Sequence, residues 1–102
     1  MTKSVIEEVR FKLAEGVEDA AFLSQIDAMR PWLMAQGGFV RRRLSKGDDG
    51  TWLDHLEWAS MDEARAAGQA LMGEPSLAPF MACIDPASVS LRHSPLAAAQ
   101  DA

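Results

Sequence analysis

Cysteine, histidine and asparagine are scarce in this chain, whose 102 residues include one cysteine, two histidines and no asparagine. The lone Cys83 rules out an internal disulfide framework and is typical of a reducing compartment. The sequence has no His-x-His, no cysteine pair and no cluster of carboxylates at ligand spacing, so we expect no bound metal. Gly37 and Gly38 follow a predicted helix instead of opening one, which is the wrong order for a phosphate-binding loop, and we expect no cofactor.

Long hydrophobic runs and net positive charge are also missing. No apolar run approaches the roughly 20 residues that span a bilayer, and residues 1–7 lack the apolar stretch of a signal peptide. The net charge of −5 repels nucleic-acid phosphates and anionic membrane surfaces. We therefore predict a cytoplasmic protein that has neither nucleic acid nor membrane among its partners.

The elements that the sequence predicts follow the order strand, helix, strand, strand, helix, strand. Alternation of apolar and polar side chains predicts strands over residues 4–13, 39–45, 51–58 and 88–93. An apolar stripe predicts a helix over residues 18–36, in which Pro31 either kinks the helix or begins a second short one. Ser60 and Glu63 have the spacing of a capping box at the start of the other helix.

This order of elements is that of two consecutive split βαβ units. It predicts the α+β class, as a ferredoxin-like βαββαβ domain with a four-stranded antiparallel sheet. Residues 1–95 are expected to form this single domain, and residues 96–102 a frayed C-terminal tail. Its helices cover only one face of such a sheet, yet apolar side chains occur on both faces. We therefore predict a homodimer through the uncovered face, from Ile6, Phe39 and Leu53 opposite Val9, Leu44 and Leu56.

The register of the hairpin formed by the second and third strands is open. If Arg41 pairs with Leu56, then Phe39 shares a face with Arg41, and a shift of one residue changes which residues of the two strands share a face. In both registers each face mixes bulky apolar groups with charges. That mixture is typical of a sheet that is covered on both sides.

Three short segments resemble the dimeric α+β barrel superfamily, in particular small antibiotic-biosynthesis-monooxygenase-like proteins. They are Gly38-Phe39-Val40, Glu57-Trp58-Ala59-Ser60 and Pro79-Phe80-Met81, and the resemblance covers residues 4–94. It implies two subunits that press their sheets together, each with a pocket between its sheet and its helices. Some relatives are oxygenases that oxidise electron-rich aromatic substrates without a metal or prosthetic group, and others degrade haem. The chain lacks the asparagine of the Asn/Trp/His set found in the haem-degrading members.

Both histidines are catalytic candidates, and each has a structural alternative. His93 shares a strand face with Val89 and Leu91, so it either moves a proton in the pocket or is hydrogen-bonded at the edge of the core. His55 lies near Glu57 on a predicted central strand. It is either a base oriented by a carboxylate or a cross-strand partner on a partly solvated face.

The substrate-binding candidates are Trp58, Arg41, Arg43 and Glu57. Trp58 ends a strand, where it forms either a pocket wall for an aromatic ligand or part of the core. The resemblance carries Trp58 and His93 over as pocket residues. Arg41 and Arg43 either bind an anionic ligand or belong to an ion-paired strand, with Glu57 within reach.

Two functions from different classes are consistent with these features. The first is an oxidoreductase, a cofactor-independent monooxygenase or related small-molecule enzyme that acts on a hydrophobic aromatic compound. The second is a noncatalytic ligand-binding or stress-associated dimeric α+β barrel protein. An open cavity reached by His93 or His55 favours the first, and a pocket closed by side chains favours the second.

Overall fold

The computed structural model describes residues 3–102, so Met1 and Thr2 of the predicted domain lie outside the described residues. The strands are β1 (Val5–Phe11), β2 (Phe39–Lys46), β3 (Trp52–Trp58) and β4 (Ser90–Pro95). The helices are α1 (Asp19–Ala28), α2 (Arg30–Met34), α3 (Met61–Met72) and α4 (Ala78–Ala82). The four strands form one antiparallel sheet in the spatial order β2-β3-β1-β4. The predicted α+β, ferredoxin-like fold is therefore confirmed.

The first predicted helix is two helices in the structure. Helix α1 ends at Ala28, and α2 begins at Arg30 with Pro31 as its second residue. A proline at this position costs no intrahelical hydrogen bond, because the first N–H groups of a helix have no partner within it. Of the two alternatives for Pro31, the second is the observed one.

The start of α3 is held by a hydrogen-bonding cap and by a close approach to β2. The Ser60 hydroxyl accepts a hydrogen bond from the backbone N–H of Glu63 at 3.2 Å, as the predicted capping box requires. The Glu63 carboxylate accepts from the Ser60 hydroxyl and not from its backbone N–H. Gly38 has a φ of 80°, and a β-carbon there would overlap the side chain of Glu63. Only glycine therefore fits between α3 and the start of β2.

The register of the β2–β3 hairpin is the one in which Arg42 pairs with Leu56 and Arg41 with Glu57. A bulge between Phe39 and Arg41 leaves Val40 without a partner and breaks the alternation of faces. Phe39 consequently lies on the helix-covered side, where its ring meets Trp58 edge-on at 5.6 Å. The prediction that Phe39 adds to the uncovered face was therefore wrong.

The core lies between the helices and one side of the sheet, in two groups of buried side chains. One group contains Phe11, Phe22, Met29, Trp52, Leu77, Phe80 and Cys83. The other contains Leu33, Leu56, Trp58, Ala64 and Ala67. Phe22 is central to the first group, with its ring edge-on to Phe11 and Trp52 at 5.5 and 5.1 Å.

The opposite side of the sheet has no cover within residues 3–102. Its residues on β1 and β3 are Ile6, Glu8, Arg10, Leu53, His55 and Glu57, and those on β2 include Arg41 and Arg43. Ile6 and Leu53 are half-buried apolar groups in an otherwise polar surface. We call this surface the outer sheet face.

The C-terminal residues 96–102 form neither helix nor strand. The backbone N–H of Leu96 donates a hydrogen bond to the carbonyl of Ser4 at 2.8 Å, which ties the start of this segment to the strand edge. Within residues 3–102, no helix combines the length and the apolar character needed to cross a membrane.

Candidate functional site

A cavity of about 680 Å³ lies between the helix-covered side of the sheet and helices α3 and α4. Most of its wall is apolar, with contributions from both groups of core residues, among them Phe11, Leu33, Leu56, Ala67 and Phe80. Four apolar side chains at its rim are exposed, namely Met72, Met81, Val89 and Leu91. A cavity of this size with an apolar wall suits a drug-sized hydrophobic ligand.

Four ionisable side chains of the sheet line the same cavity: Glu7, Arg42, Asp54 and His93. Strand register explains their convergence, because Glu7 pairs with His93 on one side and with Leu56 on the other, and Leu56 pairs with Arg42. Asp54 lies two residues before Leu56, on the same face of β3. An exposed arginine of α3, Arg65, also borders the cavity.

Glu7 and His93 form a hydrogen-bonded pair, with 2.8 Å between the Glu7 Oε1 and the His93 Nε2. Their side chains are only 14% and 22% exposed. Burial raises the pKa of Glu7 above its ordinary value, and nearby Asp54 raises it further, while His93 and Arg42 oppose the rise. The pair can therefore hold or accept a proton at the cavity wall.

Arg42 and Asp54 form a second pair, which is bidentate and more deeply buried. The Nε of Arg42 donates to Oδ1 of Asp54 at 2.9 Å, and its Nη2 donates to Oδ2 at 2.5 Å. The two side chains are 11% and 7% exposed. A buried carboxylate needs such a compensating cation, and the fork geometry fixes the plane of the guanidinium.

The remaining contacts of the Arg42 guanidinium are with a thioether and an aromatic ring. Its Nη1 donates to the thioether sulfur of Met29 at 3.2 Å, and its central carbon lies 5.7 Å from the centre of the Phe80 ring. A thioether is a weak hydrogen-bond acceptor. One side of a rigidly held cation is thus poorly satisfied where it borders the cavity.

The structure places the six predicted site residues in three locations. His93 lies in the cavity wall. Trp58 is 2% exposed within the core and is not part of that wall. The other four, His55, Arg41, Arg43 and Glu57, lie on the outer sheet face. The structure brings Arg41 and Glu57 together, with 3.6 Å between Nε and Oε1.

Two buried nitrogens have no hydrogen-bond partner within residues 3–102. They are the Nδ1 of His55 on the outer sheet face and the Nε1 of Trp58 in the core. Cys83 is a buried packing residue, and its Sγ donates to the carbonyl of Pro79 at 3.3 Å. Within residues 3–102, no three His, Cys, Asp or Glu side chains are grouped so that they could hold a metal ion.

The prediction missed Glu7, Arg42 and Asp54. Two of them carried a signal in the strand alternation, since Glu7 stands between Val5 and Val9 on an otherwise apolar face. Asp54 stands in the same way among Trp52, Leu56 and Trp58. Arg42 carried no such signal, because its face depends on the bulge in β2.

No protein-family model matches the sequence, and no curated protein matches it. Solved structures do match the fold. SnoaB, a cofactor-independent oxygenase from Streptomyces nogalater, is 22% identical over 98% of this chain and 97% of its own, with a TM-score of 0.65. An inferred antibiotic biosynthesis monooxygenase from Bordetella bronchiseptica is 14% identical over 95% and 100%, with a TM-score of 0.71.

Proteins without an assigned activity have the same fold. NE2512 from Nitrosomonas europaea, a protein of unknown function, is 17% identical over 99% of this chain and 96% of its own, with a TM-score of 0.68. Structural similarity at these sequence identities establishes the fold, whereas the reaction has to be inferred from the residues of the site. The chain therefore has the fold of the antibiotic-biosynthesis-monooxygenase-like α+β barrel proteins, as the resemblance in its sequence implied.

Proposed function

We propose that this protein is a cofactor-independent monooxygenase that oxidises an electron-rich aromatic compound in the cavity between its sheet and its helices. One observation carries the proposal. A largely apolar cavity of about 680 Å³ contains a half-buried proton-holding pair, Glu7 and His93, beside a cation, Arg42, whose side chain is 11% exposed. The likeness to SnoaB, a cofactor-independent oxygenase, supports the same assignment.

The chemistry needs a base and a water-poor cavity, because the substrate itself supplies the electrons. His93, oriented by Glu7, takes a proton from a phenol, and the phenolate passes one electron to O₂. The substrate radical and superoxide then combine, which forms a carbon–oxygen bond and leaves a peroxide. Cleavage of the oxygen–oxygen bond releases water and leaves a carbonyl on the ring. The balance is one phenol and one O₂ to one quinone and one water, with all four electrons from the phenol.

The openness of the cavity supports this function over noncatalytic binding. His93 reaches a space that the side chains leave unfilled, and the rim is exposed at Met72 and Met81. A pocket filled by side chains would have favoured the alternative. A binding protein also has no need for a proton-holding pair in an apolar wall, where burial of Glu7 is costly.

Oxygen uptake tests this function. The purified protein is mixed with quinols and polycyclic phenols, and uptake is compared with that of His93→Ala and Glu7→Gln. Wild type is expected to consume oxygen with at least one phenol, and each variant to lose about 100-fold or more, the usual loss on removing a general base. Glu15→Gln is the matched control, since Glu15 is exposed in a turn and is not part of the cavity wall. Tight binding of a phenol without uptake would contradict the enzyme and support the noncatalytic function.

We also propose that two copies pair through the outer sheet face. Paired positions across that face run Arg43, His55, Glu8 and Arg92, so charges of both signs lie side by side. A two-fold axis through the middle of this row would set His55 of one copy against Glu8 of the other. Half-buried Ile6 and Leu53 supply apolar contact, and the unpartnered Nδ1 of His55 would gain a donor or acceptor.

A further inference from the structure

We propose that Arg42 is the residue that binds the ionised oxygen of an aromatic ligand in this cavity, through the Nη1 group that now donates to Met29. This inference rests on the proposed function, since it takes a phenol to be the ligand. It adds the group that recognises the oxygen, which the oxygenase chemistry alone does not identify.

The donor inventory of Arg42 leaves room for such a ligand. A guanidinium has five N–H donors, and three are engaged, two by Asp54 and one by the thioether of Met29. The thioether is a weak acceptor, so exchanging it for a phenolate oxygen creates a charge-assisted hydrogen bond in place of a poor one. Methionine has three rotatable bonds, which lets the Met29 side chain move aside.

The guanidinium is also fixed before any ligand arrives. Its two bonds to Asp54 set its plane, and the Phe80 ring lies 5.7 Å from its centre. The Arg42 side chain is only 11% exposed, so little water competes for the free donors. A preoriented donor in a water-poor site stabilises developing negative charge without reorganisation.

The charges that face the cavity define the ligand further. Asp54 already neutralises Arg42, Glu7 adds a carboxylate paired with His93, and Arg65 stands exposed at the border. Two acidic groups beside one buried cation disfavour a permanent polyanion. The site instead suits a weak acid that enters neutral and ionises in place, as a phenol does.

The positions of the two pairs set the ligand's orientation. Leu56 on β3 separates Glu7 on β1 from Arg42 on β2, so their backbones are two strand spacings, about 10 Å, apart. Both long side chains, Arg42 and His93, line the same cavity above this floor. A phenol oxygen that lies between the two pairs can therefore give its proton to His93 and then be bound by the Nη1 group of Arg42.

Anaerobic binding tests this inference without any turnover. The probes are 1-naphthol and 1-methoxynaphthalene, which share a ring system but differ in the ionisable hydroxyl. Wild type is expected to bind 1-naphthol at least tenfold more tightly, and the absorbance of the bound probe to show naphtholate at a pH where free 1-naphthol is neutral. Equal affinity for the two probes, or a bound naphthol that stays neutral, would overturn the role of Arg42.

A variant of Arg42 has to remain folded if its loss of binding is to be interpreted. Arg42→Met alone would leave Asp54 buried and unpaired, whereas Arg42→Met with Asp54→Leu removes both charges and is expected to fold. This double variant should bind both probes equally, and Arg30→Met, an exposed arginine on α2, should keep the preference. A folded double variant that still prefers 1-naphthol tenfold would refute the inference. Preference for 1-naphthol without oxygen uptake in air would instead refute the oxygenase and leave Arg42 as the binding group.

Discussion

At the scale of single residues, the site depends on two carboxylates that stand on apolar strand faces. Glu7 and Asp54 each occupy a position where a hydrophobic side chain would pack without penalty. Each is compensated by one partner from a neighbouring strand, His93 in the first case and Arg42 in the second. Alternation along β1 and β3 predicted their orientation. Their partners were not predictable, because partner identity depends on strand register.

The raised pKa of Glu7 predicts a pH-dependent effect of Glu7→Gln on stability. A carboxyl whose pKa is raised in the folded state binds its proton more tightly there, so it favours folding below its unfolded pKa of about 4.5. That contribution is lost as pH rises through the folded pKa. The melting temperature of Glu7→Gln relative to wild type should therefore increase from acidic to neutral pH. Thermal melts across this range check it, with Glu15→Gln, a change at an exposed carboxylate, as the control, and a decreasing difference would contradict the burial of Glu7.

His93→Ala distinguishes a role of His93 in ligand binding from a role in stabilising the fold. The side chain makes one hydrogen bond, to Glu7, and is partly exposed, so its loss should cost on the order of 1 kcal/mol of unfolding free energy. Affinity for 1-naphthol should fall at least tenfold. Urea denaturation and probe binding measured on the same preparation check both. A large loss of stability with binding intact would show that His93 serves the fold.

At the scale of elements, the sequence predicted the four strands to within a few residues, and the helical regions before and after the hairpin, but not how β2 pairs with β3. The apolar alternation of residues 39–45 and 51–58 identified the hairpin. The bulge at Val40 then moved Phe39 and Arg42 to the same side of the sheet, which strict alternation forbids. Packing of Phe39 on Trp58 favours this arrangement, and that contact is tertiary.

Gly38 is expected to be the glycine whose replacement by alanine lowers the stability of the fold most. Gly38 and Gly16 have nearly equal φ values, 80° and 82°, yet a β-carbon overlaps Glu63 only at Gly38. Gly16→Ala should cost about 1 kcal/mol for its backbone conformation alone. Gly38→Ala should cost at least about 1 kcal/mol more, because α3 and β2 must move apart. If urea denaturation gave equal losses of unfolding free energy for the two variants, the contact between Gly38 and Glu63 would relax at no cost.

At the scale of the whole molecule, the sheet has one side covered by helices and one side bare. The predicted homodimer accounts for the bare side, but the surface is more polar than expected, since Phe39 is not on it. Light scattering at micromolar concentration should give twice the chain mass. Leu53→Lys should lower that mass, while Leu23→Lys, an exposed residue of α1, should leave it unchanged. A monomer mass for wild type would contradict pairing through this face.

The proposed reaction adds one oxygen atom from O₂ to an aromatic ligand in the cavity without a metal or an organic cofactor. Its most direct test is turnover of a phenol under oxygen-18 by protein that has been dialysed against a chelator. We predict one labelled oxygen in the quinone, one labelled water per quinone and undiminished rates after dialysis. Glu7→Gln and His93→Ala should form both labelled products about 100-fold more slowly or worse, and Glu15→Gln at the wild-type rate. Product formation that disappears on dialysis, or product oxygen drawn from the solvent, would contradict this reaction.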